Sequence, residues 1–332
     1  MSLPGWRRRA PSGREAGARS VDLSTTVGSV ALPNPVMTAS GTAGHGDELA
    51  SYVDLATLGA VVVKSLSADP WRGNPPPRVH ETTAGMINSV GLQGPGVAQW
   101  LACELPALLA TGANVVASIW GRTVEDYAAA AEALAYAPPE VVAVEVNLSC
   151  PNLHSHPGGA PPAGTEMFAQ SASAAAAAVR ASGACGRPRW AKLTANVTSL
   201  VPIAAAVREA GAEAVTLINT LPAMSIDPET RRPRLGGGGG GLSGPAIHPV
   251  AVRAVYDVHA AMPDLPIVGV GGVATGTDAV ELLLAGASAV QVGTSTFADP
   301  RAPGSVLAEL AAWCQQHGVR AVRELIGGAH GS

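Results

Sequence analysis

The stretch Ile267–Val292, I-V-G-V-G-G-V-A-T-G-T-D-A-V-E-L-L-L-A-G-A-S-A-V-Q-V, contains one complete strand–helix–strand unit. Its two ends, Ile267–Val270 and Ala289–Val292, are short apolar runs, and Thr277–Ala285 between them has helical composition and spacing. A strand that is apolar along its whole length is buried on both faces, which is typical of a parallel sheet covered by helices. The stretch therefore predicts a parallel βαβ unit.

The same alternation runs outward from this unit through the chain, beginning at Pro35. Eight apolar runs are predicted as strands: Val36–Thr38, Ala60–Lys64, Asn114–Ile119, Val141–Leu148, Trp190–Leu193, Ala214–Ile218, Ile267–Val270 and Ala289–Val292. Eight segments are predicted as helices: Asp47–Thr57, Val97–Leu109, Val124–Ala135, Glu166–Ala181, Leu200–Ala210, Pro249–Ala261, Thr277–Ala285 and Gly304–Gln316. Eight such units favour an α/β fold of the (β/α)8 TIM barrel type. A doubly wound open sheet is the alternative, although it would leave two strand edges to protect.

Two shorter runs before Pro35 are predicted to pair as an N-terminal β-hairpin. They are V-D-L-S-T (Val21–Thr25) and S-V-A-L-P (Ser29–Pro33), with a turn near Gly28. Residues 1–20 are rich in arginine but have no apolar run of the kind that a signal peptide needs. We therefore expect a disordered basic leader over residues 1–20, with a mitochondrial-type presequence as the alternative, and a single barrel domain over residues 21–332.

The composition argues against several classes of function. The net charge of the 332 residues is −4 and aromatic residues make up 4%, so no surface for nucleic acid is expected. The 4 cysteines form no C-x-x-C pair, which argues against a metal site and favours reduced, intracellular thiols. No stretch approaches the roughly 20 uninterrupted apolar residues of a membrane span. We expect a cytoplasmic protein that binds neither membrane nor metal.

Polar residues and glycines gather where the predicted strands end, which is the face of a barrel that carries chemistry. Two of them, Lys64 and Lys192, are lysines that should lie at the barrel mouth. A buried lysine needs a negative partner, and although either one alone could reach out to solvent, both together favour a shared anionic ligand.

Two glycine-containing turns follow the seventh and eighth strands. They are V-G-V-G-G-V-A-T-G (Val268–Gly276) and Q-V-G-T-S (Gln291–Ser295), each just before a helix. Glycine lets an anion approach the backbone N–H groups, so the pair predicts a phosphate site, with plain turns as the alternative. The glycine run Gly236–Gly241 is expected to be mobile, and Ser243 or Gly244 after it should begin the next helix.

The segment E-V-N-L-S-C-P-N (Glu145–Asn152) places Cys150 where the fourth strand ends. Asn147 and Asn152 flank it, and their carboxamides supply the donors and acceptors that suit a ring carrying amides and carbonyls. A free thiol has a pKa of about 8.5, so its thiolate form is accessible near neutral pH and can accept a proton. Cys150 is therefore a candidate catalytic base, with an inert buried thiol as the alternative.

Taken together, these strings resemble the dihydroorotate dehydrogenases of class 1, and most of all the class 1B catalytic subunit. The resemblance extends from about Val21 to Phe297. It rests on N-P-V-M-T-A-S-G (34–41), V-V-K-S (62–65), G-N-P-P-P-R (73–78), G-M-I-N-S-V-G-L-Q (85–93), N-L-S-C-P-N (147–152), K-L-T-A-N-V-T (192–198), L-I-N-T (217–220), G-G-L-S-G-P-A-I (240–247) and A-G-A-S-A-V-Q-V-G-T (285–294).

The resemblance implies one FMN per chain over the barrel mouth, with dihydroorotate against the flavin. By motif, the FMN contacts would be Ser40, Lys64, Ser65, Ser118, Asn147, Lys192, Ile218, Gly244, Gly271, Gly272, Gly293 and Thr294. The substrate contacts would be Lys64, Asn88, Ser89, Val90, Gly91, Leu92, Asn147, Asn219 and Thr220. Lys192 would lie near the flavin edge where negative charge develops on reduction. Cys150 would remove the C5 proton of dihydroorotate while a hydride passes from C6 to flavin N5, which gives orotate for pyrimidine biosynthesis.

The class 1B resemblance also implies that NAD is the final electron acceptor, reached through a partner subunit that carries FAD and a 2Fe–2S cluster, and that the core is a homodimer. One alternative is a class 1A-like enzyme that passes electrons directly to fumarate. Another is a non-catalytic barrel that binds FMN or a nucleotide, although the presence of Cys150 together with Asn88, Asn147 and Asn219 argues against it.

Three positions depart from the family pattern. Ser118 stands where the family usually has an asparagine that contacts FMN, so this contact is expected to be altered. Ala223 replaces a usual glycine and is expected to tighten a turn. The proline-rich loop His154–Thr165 lacks the usual phenylalanine, so its closing over the mouth is expected to differ, and its histidines are expected to be solvated.

Overall fold

A closed barrel of eight parallel strands forms the centre of the molecule. The computed structural model describes residues 21–149 and 168–331. The barrel strands, in chain order, are β3 (Val36–Thr38), β4 (Val61–Val62), β7 (Val115–Ile119), β8 (Val141–Asn147), β9 (Arg189–Leu193), β10 (Ala214–Leu217), β15 (Ile267–Val270) and β16 (Ala289–Val292). Hydrogen bonds join these strands in the order β3-β16-β15-β10-β9-β8-β7-β4, and the parallel bridge between Met37 and Ala60 closes the ring. The predicted (β/α)8 barrel is confirmed.

Helices cover the outside of the barrel. They are α1 (Val97–Gln99), α2 (Leu105–Ala110), α3 (Val124–Leu134), α4 (Ala172–Ala181), α5 (Val201–Glu209), α6 (His248–Ala261), α7 (Gly276–Leu284), α8 (Ser295–Ala298) and α9 (Ala302–Gln316). A π-helical turn, Trp100–Glu104, joins α1 to α2. It ends two residues before Pro106, whose missing N–H removes one bond from a regular α-helix. None of the described helices is long and apolar enough to cross a membrane.

One predicted helix is wrong. Asp47–Thr57 contains only bends, turns and a short 3-10 turn, Leu55–Thr57. The carboxylate of Asp54 accepts a hydrogen bond from the N–H of Ala56, which starts this turn and prevents a continuous helix. Aspartate commonly bonds nearby backbone in this way, and this competes with helix formation.

The barrel interior is filled by side chains that alternate along the strands. Met37, Val62, Val116, Ala143, Trp190, Ala214, Val268 and Ala289 pack into one buried cluster. The same cluster contains Val27, Val30 and Leu32 of the N-terminal hairpin, which pairs β1 (Thr25–Val27) with β2 (Val30–Leu32). The predicted hairpin is confirmed, but its first strand begins at Thr25, where the predicted strand Val21–Thr25 ends. The hairpin therefore packs into the amino end of the barrel and leaves the carboxyl end for a site.

A small antiparallel sheet that the sequence analysis missed lies beside the carboxyl end. Its strands are β5 (Val79–Thr82), β6 (Gly85–Asn88), β11 (Leu221–Ala223) and β14 (Gly240–Ser243), in the order β11-β14-β6-β5. The glycine run that was expected to be mobile leads into β14, and a Cβ on Gly240 would lie 2.4 Å from the carbonyl oxygen of Asn88. These glycines permit close backbone packing. Ala223 likewise lies in β11, not in a turn.

Two further strands, β12 (Ile226–Asp227) and β13 (Arg232–Pro233), form a separate short ribbon between β11 and β14.

Candidate active site

A cavity opens at the carboxyl ends of the barrel strands, where the sequence predicts the site. Residues in the carboxyl half of every barrel strand except β7, or directly after these strands, line it, and the small antiparallel sheet supplies one wall. The predicted residues that line it are Ser40, Lys64, Ser65, Asn88, Val90, Gly91, Leu92, Asn147, Lys192, Ile218, Asn219, Thr220, Gly244, Gly271, Gly272, Gly293 and Thr294. Of the predicted cofactor and substrate contacts, only Ser118 and Ser89 are not among its lining residues.

The turns after β15 and β16 form a glycine-lined corner of this cavity. Gly271 and Gly272 have φ values of 138° and 71°, which favour glycine. A Cβ on Gly272 would lie 2.9 Å from the carbonyl oxygen of Gly244, so only glycine fits. Among the described residues, no protein acceptor is recorded for the N–H groups of Gly272, Gly293 or Thr294. Backbone N–H groups left for a ligand beside helix starts are suited to a phosphate.

Lys192 stands over the barrel interior as part of a buried ionic cluster. Its Nζ lies 3.2 Å from Oε1 of Glu145 and 3.3 Å from Oε1 of Gln291. The amide of Gln291 in turn donates to Oε2 of Glu145 at 2.8 Å. All three side chains are buried, and Glu145 is completely inaccessible. Because Lys192 also lines the cavity, its ammonium group can face a ligand while the carboxylate of Glu145, inside the barrel, balances its charge.

Hydroxyl groups form a chain along one side of the mouth. Ser65 Oγ lies 3.2 Å from Ser40 Oγ and 2.8 Å from Ser118 Oγ, and it accepts a hydrogen bond of 3.0 Å from the amide of Asn147. Ser118 is completely buried and stands behind Ser65 as seen from the cavity. Its contribution to ligand binding would therefore pass through Ser65.

Asparagine side chains continue this network around the mouth, beginning at Asn147. Asn219 donates to Oδ1 of Asn147 at 3.1 Å and to Oγ of Ser149 at 3.0 Å. The backbone carbonyl of Asn147 is fixed by the hydroxyl of Tyr127 at 2.7 Å. These bonds orient both carboxamides at the point where β8 leads towards residue 150. Cys150 itself, Asn152 and the loop histidines lie outside the described residues.

Ser89 supports the wall of the site from behind. It is completely buried, and its hydroxyl accepts a hydrogen bond of 2.9 Å from the amide of Asn74. A Cβ on Gly237 would lie 2.3 Å from this hydroxyl, so the glycine run packs directly against it. Ser89 is not among the residues that line the cavity, and its expected contact with the substrate stays a prediction.

The cavity also has lining residues that the sequence analysis did not single out as ligand contacts. They are Ala39, Gly41, Thr42, Val79, Met86, Ser243, Ile247, Val270 and Phe297. Val79 and Phe297 are exposed apolar side chains at its rim. Ser243 accepts a hydrogen bond of 2.7 Å from the hydroxyl of Thr294 and so ties the small sheet to the turn after β16. Its place in G-L-S-G-P was the available sequence signal.

A second cavity lies next to the first and shares Lys64 with it. His45 lines this second cavity, and its Nε2 is buried without a recorded hydrogen-bond partner among the described residues. Burial lowers the pKa of His45 below its ordinary 6.5, and the nearby charge of Lys64 lowers it further. Both effects disfavour the protonated ring.

Comparison with known proteins identifies a family. The family model for dihydroorotate dehydrogenase matches residues 22–313. A protein of Desulforudis audaxviator named dihydroorotate dehydrogenase B (NAD(+)), catalytic subunit, is 48% identical over 93% of this chain and 98% of its own length. A protein of Geobacter sulfurreducens with the same name is 45% identical over 92% of this chain and 97% of its own. A protein of Solibacter usitatus whose name includes the words dihydroorotate dehydrogenase A (fumarate) is 46% identical over 92% of this chain and 97% of its own length.

Proposed function

The chain belongs to the dihydroorotate dehydrogenase family, and on that basis we propose that it oxidises dihydroorotate to orotate in pyrimidine biosynthesis, at the carboxyl end of its barrel. The observation that carries the proposal is the single cavity in which a glycine-lined corner, two lysines and a set of oriented carboxamides meet. An anionic cofactor and a small carboxylated ring with amide groups match these features one by one.

The described residues fit FMN, on which enzymes of this family depend. The N–H groups at Gly272, Gly293 and Thr294 would hold its phosphate, since nothing else in the described chain uses them. Lys192 would lie against the edge of the ring, and Ser65 and Asn147 would hold the adjoining edge. When bound, FMN supplies the acceptor for the hydride that leaves the substrate.

The remaining chemistry is assigned to side chains of the chain itself. Asn147, Asn219 and Thr220 would bind the amide and carbonyl groups of the pyrimidine, and Lys64 its carboxylate. Asn88, from β6, would complete the ring of polar groups around the substrate. Cys150 would accept the proton from C5 at its sulfur. The support for this role is the sequence position of Cys150, directly after Ser149 in the hydrogen-bonded asparagine network.

We also propose that the electrons leave through a partner subunit, carrying FAD and a 2Fe–2S cluster, to NAD. The support is that relatives aligned over nearly their whole length are named catalytic subunits of the NAD(+)-linked enzyme. Phe297 and Val79 at the rim of the cavity offer exposed apolar surface where such a partner could dock. The homodimeric core, the cytoplasmic location and the single barrel domain stay predictions.

Steady-state assays of the purified chain test this function. Orotate formation from dihydroorotate with an artificial electron acceptor is the expected result, and its absence from a flavin-loaded preparation would overturn the proposal. NAD and fumarate are then supplied separately as sole acceptors. We expect neither to support rapid turnover by the chain alone, whereas efficient fumarate reduction would replace the NAD-linked assignment with the fumarate-linked one.

A further inference from the structure

His248, at the start of α6, lies directly beneath the glycine turn that follows β15. Its Nδ1 lies 2.7 Å from the carbonyl oxygen of Gly271. A carbonyl oxygen can only accept a hydrogen bond, so Nδ1 is the donor in this contact. The ring is buried and packs against the turn so closely that a Cβ on Gly272 would lie 2.7 Å from Cβ of His248.

Acidic side chains of α7 hold the other edge of the same ring. Nε2 of His248 lies 3.2 Å from Oε2 of Glu281 and 3.9 Å from Oδ1 of Asp278. The carboxylate of Asp278 is itself bonded to the N–H groups of Ala274 and Thr275, which follow the glycine turn. The imidazole thus lies between the turn at Nδ1 and the carboxylates of α7 at Nε2, and the second contact is a hydrogen bond when Nε2 also carries hydrogen. Rotation of the ring would break the bond to Gly271.

The bond to Gly271 determines which way the next N–H group points. In a trans peptide the carbonyl oxygen and the following N–H point in opposite directions. Because the carbonyl of Gly271 is directed to His248, the N–H of Gly272 is directed away from the ring. Gly272 lines the cavity, and no protein acceptor is recorded for its N–H among the described residues.

We propose that His248 is a positioning residue for the phosphate of the cofactor: it holds the Gly271–Gly272 peptide in the orientation that presents the Gly272 N–H to that phosphate. The inference rests on the proposed FMN site and extends it to a residue that does not itself touch the ligand. It implies that replacing His248 weakens the binding of the cofactor's phosphate and leaves the binding of the flavin ring unchanged.

Riboflavin, which lacks the phosphate, separates these two parts. The experiment measures the dissociation constants of FMN and riboflavin for the flavin-free full chain, in the wild type and in His248→Leu and His248→Asn. Leucine fills a similar volume without a donor, whereas the amide of asparagine retains a donor near the position of Nδ1. We expect His248→Leu to weaken FMN binding on the order of tenfold, His248→Asn to recover most of the loss, and riboflavin binding to stay unchanged in both.

A surface variant covers the case in which His248→Leu fails to fold. The side chain of Glu281 is 57% exposed, so Glu281→Ala should not disturb the protein core. This substitution removes the carboxylate that contacts Nε2 of His248. We expect it to weaken FMN binding a few-fold and to spare riboflavin. Asp264→Ala is the control, because it removes an equal charge from an exposed position before the amino end of β15.

Equal losses for FMN and riboflavin, or unchanged FMN binding in both His248→Leu and Glu281→Ala, would overturn the inference. If either outcome is found while the wild type binds FMN tightly, the positioning role of His248 is disproved and the proposed FMN site still stands. A wild type that binds neither flavin would instead overturn the proposed cofactor site itself.

Discussion

Cys150 is the residue on which the proposed chemistry most depends. Its replacement by alanine should leave FMN binding unchanged but slow the reduction of the flavin by dihydroorotate about 10²–10⁴-fold, because a positioned base contributes about that much to a proton transfer. Anaerobic stopped-flow measurement of flavin bleaching gives the rate directly. Cys103→Ala, which removes an exposed thiol, is the control and should bleach at the wild-type rate. Wild-type bleaching in Cys150→Ala would remove Cys150 from its role.

Glu145 should set the electrostatic environment of Lys192. Its carboxylate balances the lysine from inside the barrel at 3.2 Å. Glu145→Gln removes the negative charge, so a reduced and more negative flavin beside Lys192 should be stabilised and the potential of the bound FMN should rise. A tenfold change in a two-electron equilibrium corresponds to about 30 mV. The unfolding free energy should also fall by about 3–5 kcal/mol, since a buried charge loses its partner.

Gln291→Leu is the control that distinguishes the loss of the Glu145 charge from the loss of hydrogen bonds in the same cluster. Leucine breaks the bonds of Gln291 to Lys192 and Glu145 but leaves both charges in place. We expect this variant to be less stable than the wild type with a flavin potential close to normal. Equal potentials in Glu145→Gln and the wild type would contradict the assigned role of Glu145.

At the scale of single residues, the sequence predicts most of the residues that line the cavity. It does not predict which residues reach the cavity surface and which lie behind it. Strand ends in a parallel barrel meet at one face, so residues such as Lys64 and Asn219 could be placed there from their position alone. Ser118 shows the limit, because strand alternation directs it inward but cannot reveal that Ser65 stands between it and the cavity. The burial of Ser89 behind the cavity wall is not predictable for a similar reason, since its partner Asn74 comes from a loop whose path the sequence does not reveal.

Among the elements, the glycine turn after β15 offers the sharpest test. Gly272→Ala would force a Cβ to within 2.7 Å of His248 at a φ of 71°. The turn must move, so the FMN dissociation constant should rise by at least about tenfold, the equivalent of about 1.4 kcal/mol. Equilibrium titration of the flavin-free protein measures it.

Gly318→Ala is the matched control for this substitution. Gly318 has nearly the same φ, 69°, but no atom of the described residues other than its chain neighbours lies within 4 Å of the position of its Cβ. It should lower the unfolding free energy by about 1–2 kcal/mol through backbone strain and leave FMN binding unchanged. Similar losses of FMN binding in both variants would show that strain, and not the shape of the turn, is responsible.

Apolar periodicity explains which elements could be predicted from the sequence, and two different causes explain those that could not. Barrel strands and most helices were predictable because their apolar periodicity reports burial directly. The segment Asp47–Thr57 has helical composition, yet the local bond from Asp54 to Ala56 competes with the helix. The strand β14 escaped prediction because its glycines carry no side-chain pattern, and they are required by the close approach of β6 and β11.

For the whole molecule, histidine burial should make stability sensitive to mild acid. Burial lowers the pKa of both His45 and His259 from 6.5. The unfolded chain therefore takes up protons first, so the stability that these residues confer is complete above pH 6.5 and is lost as the pH falls through it. Thermal unfolding of the wild type should show Tm decreasing between about pH 7 and pH 5.

Replacement of His45 by glutamine should flatten this pH dependence, because its share of the proton uptake on unfolding disappears. His317→Asn, at an exposed position of the same molecule, should leave the slope unchanged. A His45→Gln variant with the wild-type slope would show that burial of this ring does not govern the acid response.

The whole account depends on a flavin at the barrel mouth that accepts reducing equivalents from dihydroorotate. Anaerobic titration of the purified yellow protein with dihydroorotate, followed by its visible absorbance, measures this without any assumption about partner or final acceptor. We predict that the flavin bleaches as dihydroorotate is added and that orotate appears in proportion. A flavin that is bound but stays oxidised at excess dihydroorotate would contradict the account.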